Sequence, residues 1–247
     1  MRFKDHFSGH AALYARYRPE YPAALFEFLA QLTPRRETAL DCATGSGQAA
    51  VSLAQHFERV IATDASVQQL LHAQRHPRVF YVASLAERPG LRDGSVDLVT
   101  VAQAAHWFDH EHFYAEVRRV LRADGALAAW TYGRARIDPE IDELVDRFYE
   151  HVVGPYWPPE RQYIEDAYRT LPFPLREVPA PSLELRVSWD LDTFVGYLGT
   201  WSAVQRYTKA VGRDPLPDLR EQIAPYWSPA GALRWVCWPL YIRAGRP

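Results

Sequence analysis

Between Thr38 and Thr131, short apolar runs rich in Val, Ile and Ala alternate with longer stretches in which polar and apolar residues mix. That alternation is the pattern of a parallel sheet covered by helices. The apolar runs predict strands at Ala39–Cys42, Val60–Thr63, Val79–Val82, Val96–Val101 and Ala126–Trp130. The mixed stretches predict helices at Gln48–Phe57, Ser66–Ala73 and His112–Leu121, the last closed by Gly125 at a C-cap position. Upstream, Ala23–Leu32 reads as an amphipathic helix opened by Pro22, with Leu25, Phe28, Leu29 and Leu32 on its apolar face.

After Arg136 the texture changes, because 14 of the 19 prolines and six of the eight tryptophans lie from Ile137 onward. The pattern there predicts a helix at Glu140–Val152, a proline-rich loop at Gly154–Pro159 and a strand at Leu183–Trp189. A helical stretch at Thr193–Tyr207 and a long strand at Leu233–Arg243 follow. Strands that return this late suit antiparallel pairing at one edge of the sheet, with the intervening helices set over its ligand end as a lid.

A length of 247 residues suits one α/β core with an insertion. The formal charge of −2 comes from scattered acids and bases, so no general attraction to phosphate backbones is built in and nucleic acid is not an expected partner. Cys42 and Cys237 sit in strand-like apolar runs, where reduced, buried thiols are expected. The opening Met1–His6 lacks a signal-peptide core, and no run reaches the ~18 apolar residues that span a bilayer. The expectation is a cytoplasmic protein with no membrane partner, with homo-oligomerisation left open.

The strongest local chemistry is in Ala39-Leu40-Asp41-Cys42-Ala43-Thr44-Gly45-Ser46-Gly47-Gln48, a strand entering a glycine loop and then a helix. Gly45 and Gly47 permit a tight turn against which a ligand can lie, although glycines also serve plain strand-to-helix turns. Asp64 ends the next strand, where a carboxylate can accept both hydroxyls of a ribose. The same acid could instead cap the following helix, a role Ser66 can also fill. These features fit a nicotinamide oxidoreductase as well. Asp41 beside the loop would repel a pyrophosphate, Ala43 replaces the first glycine of the dinucleotide fingerprint, and no second βαβαβ half follows. A nucleoside bearing positive charge fits better.

Together with Tyr14-Ala15-Arg16-Tyr17-Arg18-Pro19-Glu20-Tyr21-Pro22, Asp64-Ala65-Ser66, Asp93–Val99 and Ala102–Phe108, these residues resemble the class I S-adenosylmethionine-dependent methyltransferases. Within that family the similarity is to the branch that includes the trans-aconitate methyltransferases. It covers about Phe3–Tyr132 well and the remainder loosely. The resemblance implies a doubly wound, Rossmann-like α/β fold: a mostly parallel seven-stranded sheet with an antiparallel last strand and a helical lid insertion. It implies one methyltransferase domain, with a cofactor-binding core over residues 1–136 and the lid and closing strands over 137–247. It also implies S-adenosyl-L-methionine as cofactor. Ala43, Gly45 and Gly47, in the loop with Asp41 and Ser46, would hold its methionine part, and Asp64 its ribose. Ala65 and Gln69 would flank the adenosine. Leu85-Ala86-Glu87 stands where the family often has Asp-Ala-Glu, so adenine would be read by backbone groups of Leu85 and Ala86 or by Ser84. Carbonyls of Ala102 and Gln103 would face the ammonium group, with Tyr14 and Arg18 closing the site.

Methyl transfer from a sulfonium chiefly needs alignment, and an ionised carboxylate acceptor needs no base. His106 is the candidate general base for a hydroxyl acceptor, or a group that shapes the pocket. Trp107, Tyr132, Trp201 and Arg206 are candidate acceptor-binding residues, with Tyr197 and Arg134 near them. Asp109, His110 and His112 do not complete a metal set, and no metal is expected. The reading is methyl transfer to a small molecule, leaning to a carboxylate or hydroxyl oxygen. Its rivals are a nicotinamide-type oxidoreductase and a non-catalytic cofactor-binding interaction protein.

Overall fold

The computed structural model describes residues 17–229 and 231–247. The first strand, β1 (Thr38–Cys42), is buried at all five positions, Asp41 included, which fits the mostly apolar run read there. β2 (Arg59–Asp64) and β4 (Val96–Ala102) pair with it in parallel and β3 (Val79–Ala83) pairs with β2, giving the order β3-β2-β1-β4. β5 (Leu121–Tyr132) extends the sheet beyond β4, and β8 (Arg234–Arg246) runs antiparallel to it. The free edge of β8 is taken by two strands in turn: β6 (Arg176–Val178) pairs Ala244 with Val178, and β7 (Leu183–Trp189) pairs Leu240 with Leu183. The sheet therefore has seven positions, the last shared between two antiparallel segments, as the resemblance implies.

Helices α1 (Ala23–Gln31), α2 (Gln48–Leu53), α3 (Val67–Leu71) and α4 (His110–Val120) cover the parallel half. α1 buries Leu25, Phe26, Leu29 and Ala30, with Phe28 only half-buried, so Phe26 holds the inward position expected of Phe28. α2 and α3 are shorter than expected. Gly125 does not cap a helix: α4 ends at Val120, Leu121 is already extended, and β5 runs through Gly125. A Cβ at residue 125 would stand 2.9 Å from the Asp97 carbonyl, so this glycine serves the close approach of β4 and β5.

Side chains of β5 alternate between two apolar layers. Ala126, Ala128, Trp130 and Tyr132 face α1, α2 and the insertion, while Leu127 and Ala129 face α4. The insertion opens with α5 (Pro139–Arg147), capped by Asp138 and extended by a π turn at Phe148–Val152. A short α6 (Arg161–Glu165) follows. The expected single stretch at Thr193–Tyr207 divides at Thr200-Trp201 into α7 (Leu191–Gly199) and α8 (Ser202–Val211), and α9 (Leu216–Ile223) leads back to β8. Cys42 is buried and Cys237 half-buried, both as free thiols. Among the described residues no helix is long and apolar enough to cross a membrane.

Candidate active site

The glycine loop leaves β1 through three residues at positive φ: Ala43 (53°), Gly45 (55°) and Gly47 (80°). Gly47 caps α2, and a Cβ there would lie 2.1 Å from the Tyr81 hydroxyl of β3. The Ser46 carbonyl accepts from the N–H of Gln74 at 3.0 Å. The loop and the acid of β2 are at the same end of the sheet, because the Gly45 N–H donates to Oδ2 of Asp64 at 2.8 Å. Oδ1 of Asp64 accepts from the N–H of Ser66, whose hydroxyl caps α3 by accepting from Gln69. The cap is therefore Ser66, and Asp64 is turned toward the loop. Gln69 is buried, with Oε1 4.0 Å from the space a Cβ on Gly45 would fill.

Beneath the loop, Asp41 is fully buried and accepts from Thr44 and Thr100 at 2.6 and 2.7 Å. Burial, opposed by those two hydroxyls and reinforced by the charge of Asp64, pushes its carboxyl up to about 6. Ala65 lies half-buried between Asp64 and the cap. At the end of β3, the Ser84 hydroxyl is buried without a hydrogen-bond partner, Leu85 is exposed and Ala86 buried. Tyr14 lies outside the described residues.

A cavity opens where the insertion meets the ends of β4 and β5. Gln103, His106 and Trp107 form its β4 side, and Tyr132 and Gly133 its β5 side. Trp157, Arg161, Tyr197 and Trp201 close it from the insertion, and Arg18 from the N-terminal side. Arg18 bonds the Tyr132 hydroxyl and lies over the rings of Tyr132 and Tyr197. Trp157, Trp201 and Tyr149 pack ring against ring, with Arg161 over Trp157 and Tyr149. Arg161 spends its Nε on Tyr149 and Glu165. Two donors are buried without partners in this wall, the Gln103 amide nitrogen and the Trp157 indole nitrogen. Among the described lining residues none is acidic.

Gln103 follows β4 at φ 58°, next to Ala102, and its Oε1 accepts from Thr131. His106 is buried, with Nδ1 2.8 Å from the Tyr168 hydroxyl. Burial, then the charges of Arg161 and His110, lower its pKa to about 3. It is therefore neutral at pH 7.

Two expected residues lie elsewhere. Arg206 is outside the cavity wall and donates to the Tyr156 carbonyl. Arg134 is engaged by Asp146 and Glu150 in a neighbouring pocket. Asp109 caps α4 and pairs with His112, while His110 bonds the Ala105 carbonyl. Among the described residues no cluster of three or more His, Cys, Asp or Glu could hold a metal ion. Trp157, Arg161 and Tyr168 were not anticipated. Nothing local in the sequence marks them, beyond the density of aromatics after Ile137.

Fold and site together define an α/β protein with a glycine loop and a buried acid joined at the carboxyl ends of β1 and β2, and an aromatic cavity at the ends of β4 and β5. Residues 40–129 match the methyltransferase domain family. A Dictyostelium discoideum protein named as a methyltransferase is 36% identical over 226 residues, covering 90% of this chain and 86% of that protein. An uncharacterised methyltransferase of Mycobacterium tuberculosis is 34% identical over 57% of this chain and 59% of its own length. A solved structure from Anaeromyxobacter dehalogenans, described as a type II methyltransferase, superimposes with a TM-score of 0.88 at 49% identity, covering 93% of this chain and 98% of that one. The chain belongs to the class I S-adenosylmethionine-dependent methyltransferases.

Proposed function

We propose that this methyltransferase acts on a small molecule through an oxygen of an anionic group, a carboxylate foremost, and that it sits with the branch containing the trans-aconitate methyltransferases. The observation that carries the reading is the polarity of the cavity. Two buried N–H donors lack partners, two arginines line the wall, and none of the described lining residues is acidic. A buried donor without an acceptor costs roughly 1–3 kcal/mol. An anionic oxygen recovers that cost, whereas an amine would add donors to donors.

The cradle suits the family's cofactor. The Asp64 carboxylate accepts from the N–H groups of Gly45 and Ser66, and a carboxylate, an acceptor with about four lone-pair sites, is the group that ribose hydroxyls need as donors. Ser84 offers its unpartnered hydroxyl at the adenine end. Ala43, Ser46 and Gly47 shape the loop around the methionine part, with Asp41 below and the Ala102 and Gln103 carbonyls opposite. S-adenosylmethionine held there would supply a sulfonium-borne methyl group open to in-line displacement by an acceptor oxygen.

The protein's own part is alignment and exclusion of water. Gln103 and Trp157 donate to the acceptor, while Arg18 and Arg161 balance its charge. The rings of Trp107, Tyr132, Tyr197 and Trp201 wall off solvent. A carboxylate is already ionised at neutral pH. His106, with a pKa lowered to about 3, is too weak a base to deprotonate a hydroxyl with useful driving force, which favours the carboxylate over the alcohol.

The test is methyl transfer from labelled S-adenosylmethionine across matched panels of small carboxylic acids, phenols and amines. Turnover confined to acids supports the reading, with Gln103→Ala and Arg161→Gln each raising KM about tenfold. Preference for amines would overturn it. Tight cofactor binding without turnover on any panel would favour a non-catalytic binding protein.

A further inference from the structure

The arginine that the insertion brings to the cavity is held at one end and open at the other. Nε of Arg161 donates to the Tyr149 hydroxyl at 2.8 Å and to Oε1 of Glu165 at 3.1 Å. The Tyr149 hydroxyl in turn donates to the same Oε1 at 2.5 Å, so the three groups close a triangle. The guanidinium carbon stands over the Trp157 ring at 4.5 Å and over the Tyr149 ring at 5.4 Å. Among the described residues neither terminal nitrogen of Arg161 has a hydrogen-bond partner, and neither is sealed from solvent. An ion pair four residues apart on α6 would explain the contact with Glu165 alone. It does not explain the bond to Tyr149, which comes from the π turn after α5, nor the open end.

A guanidinium grips a carboxylate with two parallel N–H···O bonds, along its Nε side or along its terminal edge. With Nε spent on Tyr149 and Glu165, the terminal edge is the one left for a ligand. The other arginine in the wall, Arg18, is engaged by the Tyr132 hydroxyl and lies over two rings. Most of the remaining wall is aromatic: Trp107, Tyr132, Trp157, Tyr197 and Trp201. A second carboxylate would meet ring faces, whose negative quadrupole repels it, and would lose its water without gaining a partner. A flat apolar body would meet the same rings edge-on or offset, as rings prefer.

Resting on the anionic-oxygen reading above, we infer that the acceptor is a monocarboxylic acid with a planar aryl body, and that Tyr149 and Glu165 are positioning residues for Arg161. The carboxylate lies on the terminal edge of Arg161, with the neutral donors of Gln103 and Trp157 completing its hydrogen bonds. Tyr149 and Glu165 fix where that edge is.

Transfer from labelled S-adenosylmethionine is compared for the aryl monoacids benzoate and cinnamate, the dicarboxylate terephthalate and the aliphatic hexanoate. The better aryl monoacid should exceed both others in kcat/KM by at least about tenfold. Terephthalate used as well overturns the single charge, and hexanoate used as well overturns the aryl body. In either case acids are still methylated and the carboxylate reading stands, whereas methylation of no acid overturns both. For the positioning pair, Tyr149→Phe and Glu165→Ala should each raise the KM of that acid about threefold, with kcat within about twofold. Removing the Glu165 charge would by electrostatics alone lower the KM of an anion, so a rise there reports orientation. Inhibition by the matching uncharged amide, benzamide or cinnamamide, should not change, since a merely structural role would weaken acid and amide alike. An unchanged or lowered KM, or an amide weakened in step with the acid, overturns the positioning role. Glu165→Ala decides the matter if Tyr149→Phe does not fold, which unchanged affinity for S-adenosylhomocysteine checks.

Discussion

The main-chain N–H of Gly45 donates to a carboxylate oxygen of Asp64 at 2.8 Å, so the loop after β1 and the acid closing β2 form a single clamp. Asp64→Asn would place an amide nitrogen against the N–H of either Gly45 or Ser66. The expected loss is about 2 kcal/mol of stability for the charge-assisted bond, measured by urea unfolding. Affinity for S-adenosylhomocysteine should fall at least about tenfold by calorimetry. Lost stability with intact affinity would make Asp64 a clamp for the loop and nothing more.

Gly47 should tolerate no side chain. Its φ of 80° costs an L-residue roughly 1–2 kcal/mol, and a methyl group would lie 2.1 Å from the Tyr81 hydroxyl, itself held on the Gln74 carbonyl at 2.5 Å. Gly47→Ala is expected to lose more than ~2 kcal/mol. Adding Tyr81→Phe removes the nearest atom and should restore part of the loss, and thermal melts of the two proteins make the comparison. A double variant no more stable than Gly47→Ala would place the whole cost in the backbone.

The parallel half was legible because its central strands, β1 and β4, are buried along nearly their whole length and are therefore mostly apolar, broken by Asp41 in β1 and by Asp97 and Thr100 in β4. The placement of the glycine loop and Asp64 at one end of the sheet was legible for a related reason: backbone turns and strand ends are encoded by sequence spacing, and the Gly45 N–H meets Asp64 there. Gly125 was misread because a glycine after a helical stretch serves a C-cap and a close strand approach equally well. The cavity's insertion side was legible only in part: Tyr197 and Trp201 line it as expected. Trp157, Arg161 and Tyr168 reach β4 only through the folding of the insertion, whereas Arg206, a cation on a lid helix, turned to the Tyr156 carbonyl.

Asp41 should make the protein less stable as pH rises. Its carboxyl is pushed up to about 6 from an ordinary 3.8, mainly by burial, so the native state holds the proton more tightly than the unfolded chain. That contribution is complete below about pH 4 and is lost as pH climbs through 6, on the order of 3 kcal/mol in all. The stability of native protein relative to Asp41→Asn, from urea titrations at pH 4, 5, 6 and 7, should decline over that range. A flat difference would mean that Asp41 is not desolvated. A cationic cofactor above it favours the ionised form, so affinity for S-adenosylmethionine should rise through the same interval.

His106 should act in the opposite sense. Burial, aided by the charges of Arg161 and His110, lowers its pKa from 6.5 to about 3, so below pH 6.5 the unfolded chain gains a proton that the native state refuses. Stability from this group is whole above pH 6.5 and drains away as pH falls toward 3, by roughly 3 kcal/mol at pH 4. Native protein relative to His106→Gln should therefore gain stability between pH 4 and 6.5, where relative to Asp41→Asn it loses stability. The two slopes largely cancel in the native curve and appear only in the differences. At saturating S-adenosylmethionine, which removes the Asp41 effect on cofactor affinity, methyl transfer to a carboxylate should show no His106-dependent rate limb between pH 6 and 7, because the imidazole stays neutral throughout. A limb there that disappears in His106→Gln would mean that the histidine titrates during turnover, and would restore it as a base.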